Sequence, residues 1–471
     1  MVRVWLGVLM KYYYDVVIVG AGPAGLFVAL ELVKHAKNKL KIAIIEQGGD
    51  INKRLRTRDY VKGWGGAGLF ADGKITISTH VGGWLSNIVS EKRLVRLMEY
   101  IDSIWGELSP ESMLIEPDKD AVEALISRAR IYHVRLVPYR VRHIGSDNTV
   151  HVLKRIFDIL SSYVDIYLET RAEKVVLKDG ERIIVTESGD EFSARYLVLA
   201  PGRVGAHWLR NELKRLGVAM AINPVDIGVR VETIHETFSE ITDVLYDPKF
   251  IYVAPTYDDV VRTFCVNPKG FVIKERYEDV ITINGHSYST RKSPNTNFAI
   301  LVSSYFTEPF KDPIAYGKHI ARLANLLAGG SILVQRLGDL RRGRRSTRER
   351  IARSIVEPTL EDAVPGDISF ALPHRHLVSI LEFLEVLDKI APGIYSDDTL
   401  LYAVEAKFYS SRVSVNENLE IRGVNSIYVC GDGAGITRGL AQSSASGVIV
   451  ARAILRKEGL WRDVGRMDNN I

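Results

Sequence analysis

Residues 15–33, DVVIVGAGPAGLFVALELV, set the first pattern. The β-branched apolar run Val16–Val19 stops at a glycine-rich turn and is followed by closely spaced apolar positions up to Val33. A short, uninterrupted apolar run bounded by turn residues predicts a strand covered on both faces, and the segment beyond the turn predicts a helix. A second apolar run, KIAIIE, ends at Glu46. In 86–130 the apolar residues Ile88, Leu94, Leu97, Ile101 and Ile104 recur at helical spacing, and RLVPYRVRHIGSDNT after them reads as strand and turn. VHVLKRIFDILSS (150–162) is an amphipathic helix. VDIYLET, EKVVLKDGERIIVTES and YLVLAPG then predict a strand series with a Lys-Asp-Gly-Glu hairpin turn. Residues 211–420 alternate strand-rich patches with long helices, and SIYVCGD (426–432) supplies a last strand before a small-residue helix.

The first turn reads Gly20-x-Gly22-x-x-Gly25, with Pro23 and Ala24 inside it. Between a buried strand and a helix, this spacing serves a dinucleotide. Gly20 permits the tight turn, Gly22 lets backbone approach a pyrophosphate, and Gly25 lets helix and strand pack closely, with the helix N-terminus facing the phosphates. Glu46 at the end of the second strand is placed to accept hydrogen bonds from ribose hydroxyls, and it would repel a 2′-phosphate. Gln47 adjoins it, and Arg54 offers a cation for the pyrophosphate.

These motifs, with YLVLAPG at 196–202 and GDGAG at 431–435, resemble the FAD-binding fold of glutathione-reductase-type flavoproteins, in the order of the para-hydroxybenzoate hydroxylase and geranylgeranyl reductase branch. GGAGLFADGKI, PVDIGVRVE, RTFCVNPKGFV, NTNFAILVSSYF, GRRST and CGDGAGITRGLAQSSASG further resemble the FAD-dependent (NAD/FAD-utilising) dehydrogenases along nearly the whole chain. The resemblance implies an α/β fold: a discontinuous FAD-binding Rossmann-type domain (parallel sheet with β-meander) over 1–80, 150–210 and 421–471, and an α+β substrate or cap domain over 81–149 and 211–420. It implies cofactor contacts at Gly66, Ala67, Asp72, Gly73 and Lys74, at Ala172, and at Ala200 and Gly202. Here Ala200-Pro201-Gly202 replaces the usual Ala-Thr-Gly, which removes a hydroxyl and an N–H.

The stretch 428–454 is expected to close this site rather than to form a second one, because the residues after Ile454 are polar and irregular and supply no further strand. Gly431 and Asp432 would meet ribityl or pyrophosphate-proximal hydroxyls. The helix start at Gly439, Leu440 and Ala441 would turn backbone N–H groups toward flavin N1/O2, stabilising the negative charge of the reduced ring. Cys430 is expected to fill core space.

Candidate chemistry lies in the second domain. Cys265, in RTFCVNPKGFV, is a candidate proton donor or adduct-forming thiol; the family often has a second cysteine two positions on, where this chain has Asn267. His286, Tyr288 and Arg291 form a candidate wall of proton-capable and anion-binding groups. Glu405, Lys407 and Tyr409 fall at period two, on one face if the segment is a strand. Cys265, His286, Tyr288 and Lys407 are the catalytic candidates. There is no C-x-x-C and no second G-x-G-x-x-G joining a strand to a helix, so neither a disulfide reductase nor a built-in NAD domain is expected; NADH or NADPH would dock transiently as electron donor. The reading is an FAD-dependent oxidoreductase acting on a small molecule. A flavin monooxygenase of the same architecture, an RNA-modifying flavoprotein and a protein holding NAD in place of FAD are the alternatives.

Composition changes this little. The chain has 471 residues, 46% of them hydrophobic and 25% charged, with a net charge of +5. That is ordinary for a globular protein and does not call for nucleic acid. RLGDLRRGRRSTRER (336–350) is a candidate grip for a phosphate, an acidic substrate or RNA, or else a solvated basic loop, and no aromatic residues interleave it for base stacking. Two cysteines and no metal-ligand spacing fit a reducing compartment and no metal. MVRVWLGVLM has too short an apolar run for a signal peptide, and translation starting at Met10 would remove residues 1–9. A cytoplasmic protein without integral membrane contact is expected.

Overall fold

In a computed structural model of the chain, the described residues are 10–57, 59, 61–70, 73–178, 180–277, 279–288 and 291–461. Asp72 and residues 1–9 lie outside them. The chain divides into two compact units: the first holds the residues up to Ser112, Asn148–Ala221 and the chain from Ser410 onward, and the second holds Met113–Asp147 and Ile222–Tyr409.

The first unit is built on the apolar runs. Lys11–Val19 lies between Ile42–Ile45 and Glu191–Leu199, parallel to both, and Val164–Tyr167 extends the sheet beyond Ile42–Ile45. Val16, Val17 and Ile18 are fully buried, as are Ala43 and Ile44. Burial of each large aliphatic side chain of this kind contributes roughly 1.5–3 kcal/mol. Glu191–Leu199 splits its outer edge between two partners. Its first half pairs antiparallel with Glu181–Thr186, which turns back into Ala172–Lys178 as a β-meander, and its second half pairs parallel with Ile427–Val429. The unit is thus an α/β, Rossmann-type sheet with a meander, assembled from three separate stretches of chain.

The unit boundaries differ from the sequence expectation. Residues 81–112, assigned to the cap, cluster with the first unit, as do 211–221 and 410–420. The physical reason is visible on Glu91–Leu108, whose stripe Leu94, Leu97, Ile101 and Trp105 is buried. Trp105 packs against Phe27, with ring centroids 5.3 Å apart, and its Nε1 donates to Ser444 Oγ at 3.3 Å.

The second unit is an eight-stranded sheet in the order Val364–Pro365, Leu333–Arg336, Leu400–Lys407, Val225–Ile234, Asn295–Ser304, Asp259–Asn267, Lys249–Ala254, Arg135–Val137. One face is apolar. Val225, Ile227, Val229 and Val231 pack with Val261, Ile300 and Val302 into a core that includes Ile320 and Ala324 of Pro313–Leu327 and Ile380, Phe383 and Leu387 of His374–Asp388. Alternation along a strand therefore sends Asp226, Arg230 and Glu232 to the opposite face. A separate hairpin, Phe271–Tyr277 with Val280–His286, belongs to the same unit. Among the described residues no helix is long and apolar enough to cross a membrane.

The helices Pro23–Ala36 and Leu440–Lys457 meet backbone to backbone. A β-carbon on Gly447 would stand 2.2 Å from Ala24 O and 3.0 Å from Val28 N. Gly447→Val is therefore expected to force the helices apart and destabilise the protein by about 1–3 kcal/mol. Urea unfolding checks this; an unchanged midpoint would show that the helices can separate without cost.

Candidate functional site

In the first unit the glycine turn is held from both sides. Gly25 packs where a β-carbon would reach 2.0 Å from Gly20 O, and Gly20 itself, at φ +108, presses on Ala200 O. The helix Pro23–Ala36 begins at Gly22 with proline in its first turn and no side-chain cap, so its next N–H groups are left to a ligand or solvent. Gly66 adjoins this start: a β-carbon there would come within 2.9 Å of Gly22 Cα. Ala67 follows in the short helix Gly66–Phe70, and Gly73, at φ 69, leads into Lys74, which is buried. Ala172 opens the meander strand opposite Thr186, and Gln47 is half-buried beside the loop.

Glu46 and Arg54 do more local work than the sequence suggested. The buried Glu46 carboxylate accepts backbone N–H groups from Ala21 (Oε2, 2.9 Å) and from Gly48 and Gly63 (Oε1, both 2.9 Å). A carboxylate offers about four acceptor positions, so one remains for a ribose hydroxyl. Arg54 is buried and donates to the carbonyls of Asp59 (3.1 and 2.9 Å), Trp64 (2.6 Å) and Gly66 (2.8 Å). Burial brings its guanidinium down to about 10. Its charge thus staples the loop that carries Trp64 and Gly66, rather than standing open toward a phosphate.

The late loop meets the first one. A β-carbon on Gly431, at φ +78, would lie 2.9 Å from Ala24 Cβ, and one on Gly433 would lie 2.4 Å from Gly202 O. Asp432 Oδ1 accepts the hydroxyls of Thr437 (2.9 Å) and Ser443 (2.8 Å), which fixes the carboxylate and leaves Oδ2 without a hydrogen bond among the described residues. The helix Leu440–Lys457 starts at Gly439 (φ 87) without a side-chain cap, and Leu440 and Ala441 form its first turn. Two uncapped helix starts and a half-used carboxylate, gathered by glycines that forbid side chains, fit a flavin dinucleotide. Cys430 is fully buried, and burial pushes its thiol up.

In the second unit the face opposite the apolar core carries two buried charge clusters. In one, Arg262 pairs with Asp226, and Tyr409 OH donates to Asp226 Oδ2 at 2.5 Å while accepting from Arg262 Nη2 at 2.9 Å. Burial alone would raise the Asp226 carboxyl; Arg262, with the Ser303 and Tyr409 hydroxyls, outweighs burial and holds it below the usual range. Lys249 adds an amine to this neighbourhood. It is half-buried and has no hydrogen bond or ion pair among the described residues; burial, then Arg262, lowers it to about 7.

In the other cluster Arg230 and Glu405, both fully buried, form a two-pronged pair at 2.8 and 3.1 Å. Lys407 Nζ lies 2.8 Å from Glu405 Oε1 and 3.8 Å from Glu275 Oε2. Cys265 O accepts from Arg230 Nη1 at 3.2 Å. Leu400–Lys407 is a strand, and the structure brings Cys265, Glu405 and Lys407 together. His286 and Tyr288 lie elsewhere on the unit, around Phe271. Tyr288 meets Phe271 at 5.7 Å and His286 at 5.9 Å, ring to ring, and Arg291 lies over the Phe271 ring at 4.4 Å.

Sequence reasoning missed Asp226, Arg230, Lys249 and Arg262. The period-two charges of PVDIGVRVE (Asp226, Arg230, Glu232) could have revealed the first two, whereas nothing local marks Lys249. Much of the arginine run is tied into ion pairs at the surface of the unit: Arg336 pairs with Asp398, Arg341 and Arg342 with Asp397, and Arg344 and Arg350 with the buried Asp339. Among the described residues no group of three His, Cys, Asp or Glu could hold a metal.

Comparison with known proteins accords with this geometry. Residues 224–408 match the family described as FAD-dependent protein, C-terminal domain-like, and residues 15–66 match the lycopene cyclase protein family. An uncharacterised protein of Clostridium beijerinckii is 26% identical over 94% of this chain and 80% of its own length. Similar solved structures include the formate oxidase of Aspergillus oryzae (12% identity, 96% and 99% coverage, TM-score 0.47). The L-proline dehydrogenase of P. horikoshii is another (12% identity, 96% and 95% coverage, TM-score 0.44). The second unit thus matches the FAD-dependent C-terminal domain over most of its length, and the first presents the glycine turn and helix start suited to a dinucleotide.

Proposed function

We propose that this enzyme is a dehydrogenase or reductase that moves hydride between FAD, held in the first unit, and a small organic molecule held on the polar face of the second. NADH or NADPH serves as transient electron donor, and the enzyme works in the cytoplasm. The observation that carries the reading is the dinucleotide cradle formed by Gly20–Gly25, Asp432 and the uncapped start of Leu440–Lys457; the other G-x-G-x-x-G of the chain, Gly63–Gly68, follows no strand and opens no α-helix.

The flavin supplies hydride acceptance and return. The chain's own residues do the rest. Asp432 Oδ2 accepts a cofactor hydroxyl, with Thr437 and Ser443 fixing its orientation. The first-turn amides of Leu440–Lys457 hold negative charge without reorganising. On the polar face Lys249 is an amine poised between protonation states at neutral pH, able to take or return a proton, and Asp226 keeps the adjacent Arg262 charged. Lys407 offers an ammonium for an oxygen of the substrate.

Three outcomes are expected. The purified protein is yellow, and under anaerobic conditions NADH or NADPH bleaches its flavin absorbance; a colourless protein that takes up no added FAD would refute the cofactor reading. Asp432→Ala lowers flavin content at least tenfold after gel filtration, while Asp432→Asn keeps a larger share because its amide oxygen still accepts a hydrogen bond.

The third outcome concerns pH. Lys249 has a folded value near 7, below its unfolded value of 10.5. Between those two values the unfolded chain binds the proton that the native state lacks, so stability rises with pH through that window. The cost of burying the ammonium is therefore fully present below about pH 7 and gone above 10.5. Lys249→Met should stabilise the protein at pH 6 by roughly 2 kcal/mol, discounted for the water that still reaches the amine. The gain should fade by pH 10. Urea midpoints at pH 6, 8 and 10 measure it, and a gain independent of pH would mean that packing, not charge, is responsible.

A further inference from the structure

Cys265 sits where the strand Asp259–Asn267 loses register with Asn295–Ser304, between Phe264 and Asn267. Its φ is 49, a left-handed conformation that costs a residue with a β-carbon about 1 kcal/mol or more and that gathers at functional positions. Such irregularities re-aim side chains out of the strand's alternation. The half-buried thiol has a hydrogen-bond donor beside it. Asn267 Nδ2 lies 3.6 Å from Sγ and also donates to Cys265 O at 2.9 Å. Arg230 Nη1 donates to the same Cys265 carbonyl at 3.2 Å, which sets its guanidinium beside the thiol's backbone. Burial opposes the charge on that guanidinium, and Glu405, with a smaller share from Cys265, restores it and raises its hold on the proton.

A second observation points outward from the same cluster. Asn297 is fully buried, and its Oδ1 accepts from Arg230 Nη1 at 2.7 Å and from Asn267 Nδ2 at 3.4 Å. Its Nδ2 has no hydrogen-bond partner among the described residues. A buried amide donor left unpaired costs about 1–3 kcal/mol, and a ligand oxygen would recover that. The Gly285 backbone closes on the Oδ1 side of this amide, where a β-carbon would fall 2.3 Å from Arg230 Nη1 and Asn267 Nδ2 and 2.4 Å from Asn297 Oδ1. Lys407 supplies a further donor beside Glu405.

We propose that Cys265 is a nucleophilic thiol that takes a substrate or inhibitor of the conjugated-carbonyl class, an enone, enal or quinone, as a covalent adduct. The thiol proton leaves to solvent. The sulfur lone pair forms a C–S bond at the β-carbon, the C=C π pair moves toward the carbonyl oxygen, and Asn297 Nδ2 and Lys407 hydrogen-bond that oxygen. A solvent proton then returns to the α-carbon, so the addition is neutral and nothing is oxidised or reduced. Arg230 and Asn267 are positioning residues: they favour the thiolate, the form that attacks. The proposal rests on the polar face being the substrate surface, but it needs no electron transfer.

The test labels the purified holoprotein at pH 7 with N-ethylmaleimide and, separately, with 2-cyclohexenone, and reads the adduct by intact mass and peptide mapping. One adduct is expected, at Cys265, with none at the fully buried Cys430. The expected rate is at least tenfold that of glutathione. Asn267→Ala, checked to retain flavin and its unfolding midpoint, should slow labelling several-fold at pH 7 and move its pH midpoint upward. Labelling of Cys265 no faster than glutathione, or a rate unchanged in Asn267→Ala, overturns the proposal. A protein that never binds flavin but still labels fast at Cys265 would overturn the cofactor reading and leave the thiol proposal standing.

Discussion

The first unit depends on backbone meeting backbone where side chains are forbidden. Three stretches, distant in sequence, share one sheet, and the contacts that join them sit at glycines: Gly20 against Ala200, Gly433 against Gly202, Gly447 against Ala24. Each brings chain segments closer than any β-carbon allows, and dispersion and burial then act along the whole contact between them. The cofactor cradle follows from that contact. The two helix starts can serve one ligand only because Pro23–Ala36 and Leu440–Lys457 pack without intervening side chains. Glu46 adds the electrostatic half: by accepting three backbone N–H groups it holds the first turn, the loop after the second strand and the Trp64 loop in one arrangement.

The strand–turn–helix and the closing strand were legible in the sequence, whereas the hydrogen-bond partners of Glu46 and Arg54 were not. The glycine spacing, the closing strand and the parallel order are local or periodic signals, and they stand in the sequence of residues 15–46, 196–202 and 428–454. Glu46 and Arg54 were legible as positions but not as roles. A carboxylate at a strand end and a cation after it are expected to face the ligand, whereas here loop amides and carbonyls claim most of their hydrogen-bonding capacity. Loop conformation, which motifs do not encode, decides between the two roles.

The second unit shows the converse. Its catalytic candidates were chosen by residue type, and their partners differ: Cys265 and Lys407 are linked through the Arg230–Glu405 pair, while Tyr288 packs against both Phe271 and His286. Register decides this, since strands far apart in the chain become neighbours. The irregularity between Gly228 and Arg230 brings both Glu405 and Tyr402 toward the charges of Val225–Ile234. The helix Glu91–Leu108 was misplaced for a related reason. Its apolar stripe announces burial but does not name the surface that buries it, and Phe27 and Ser444 supply that surface.

A buried ion pair is weak evidence for stability, because desolvating two charges costs several kcal/mol each and apolar residues of similar volume often serve as well. The opposite face of this same sheet shows that the chain can build such a surface: Val225, Ile227, Val229 and Val231 are fully buried among helices. Yet the intervening positions of the same strand carry Asp226, Arg230 and Glu232, each matched by a charged or hydroxyl partner from another strand or loop. Charge this deep is costly to keep, and cheaper packing was available one residue away at each step. Arg262 and Arg230 lie beside an amine lowered to about 7 and a thiol in a strained turn of the strand, the groups on which the proposed chemistry of that face depends.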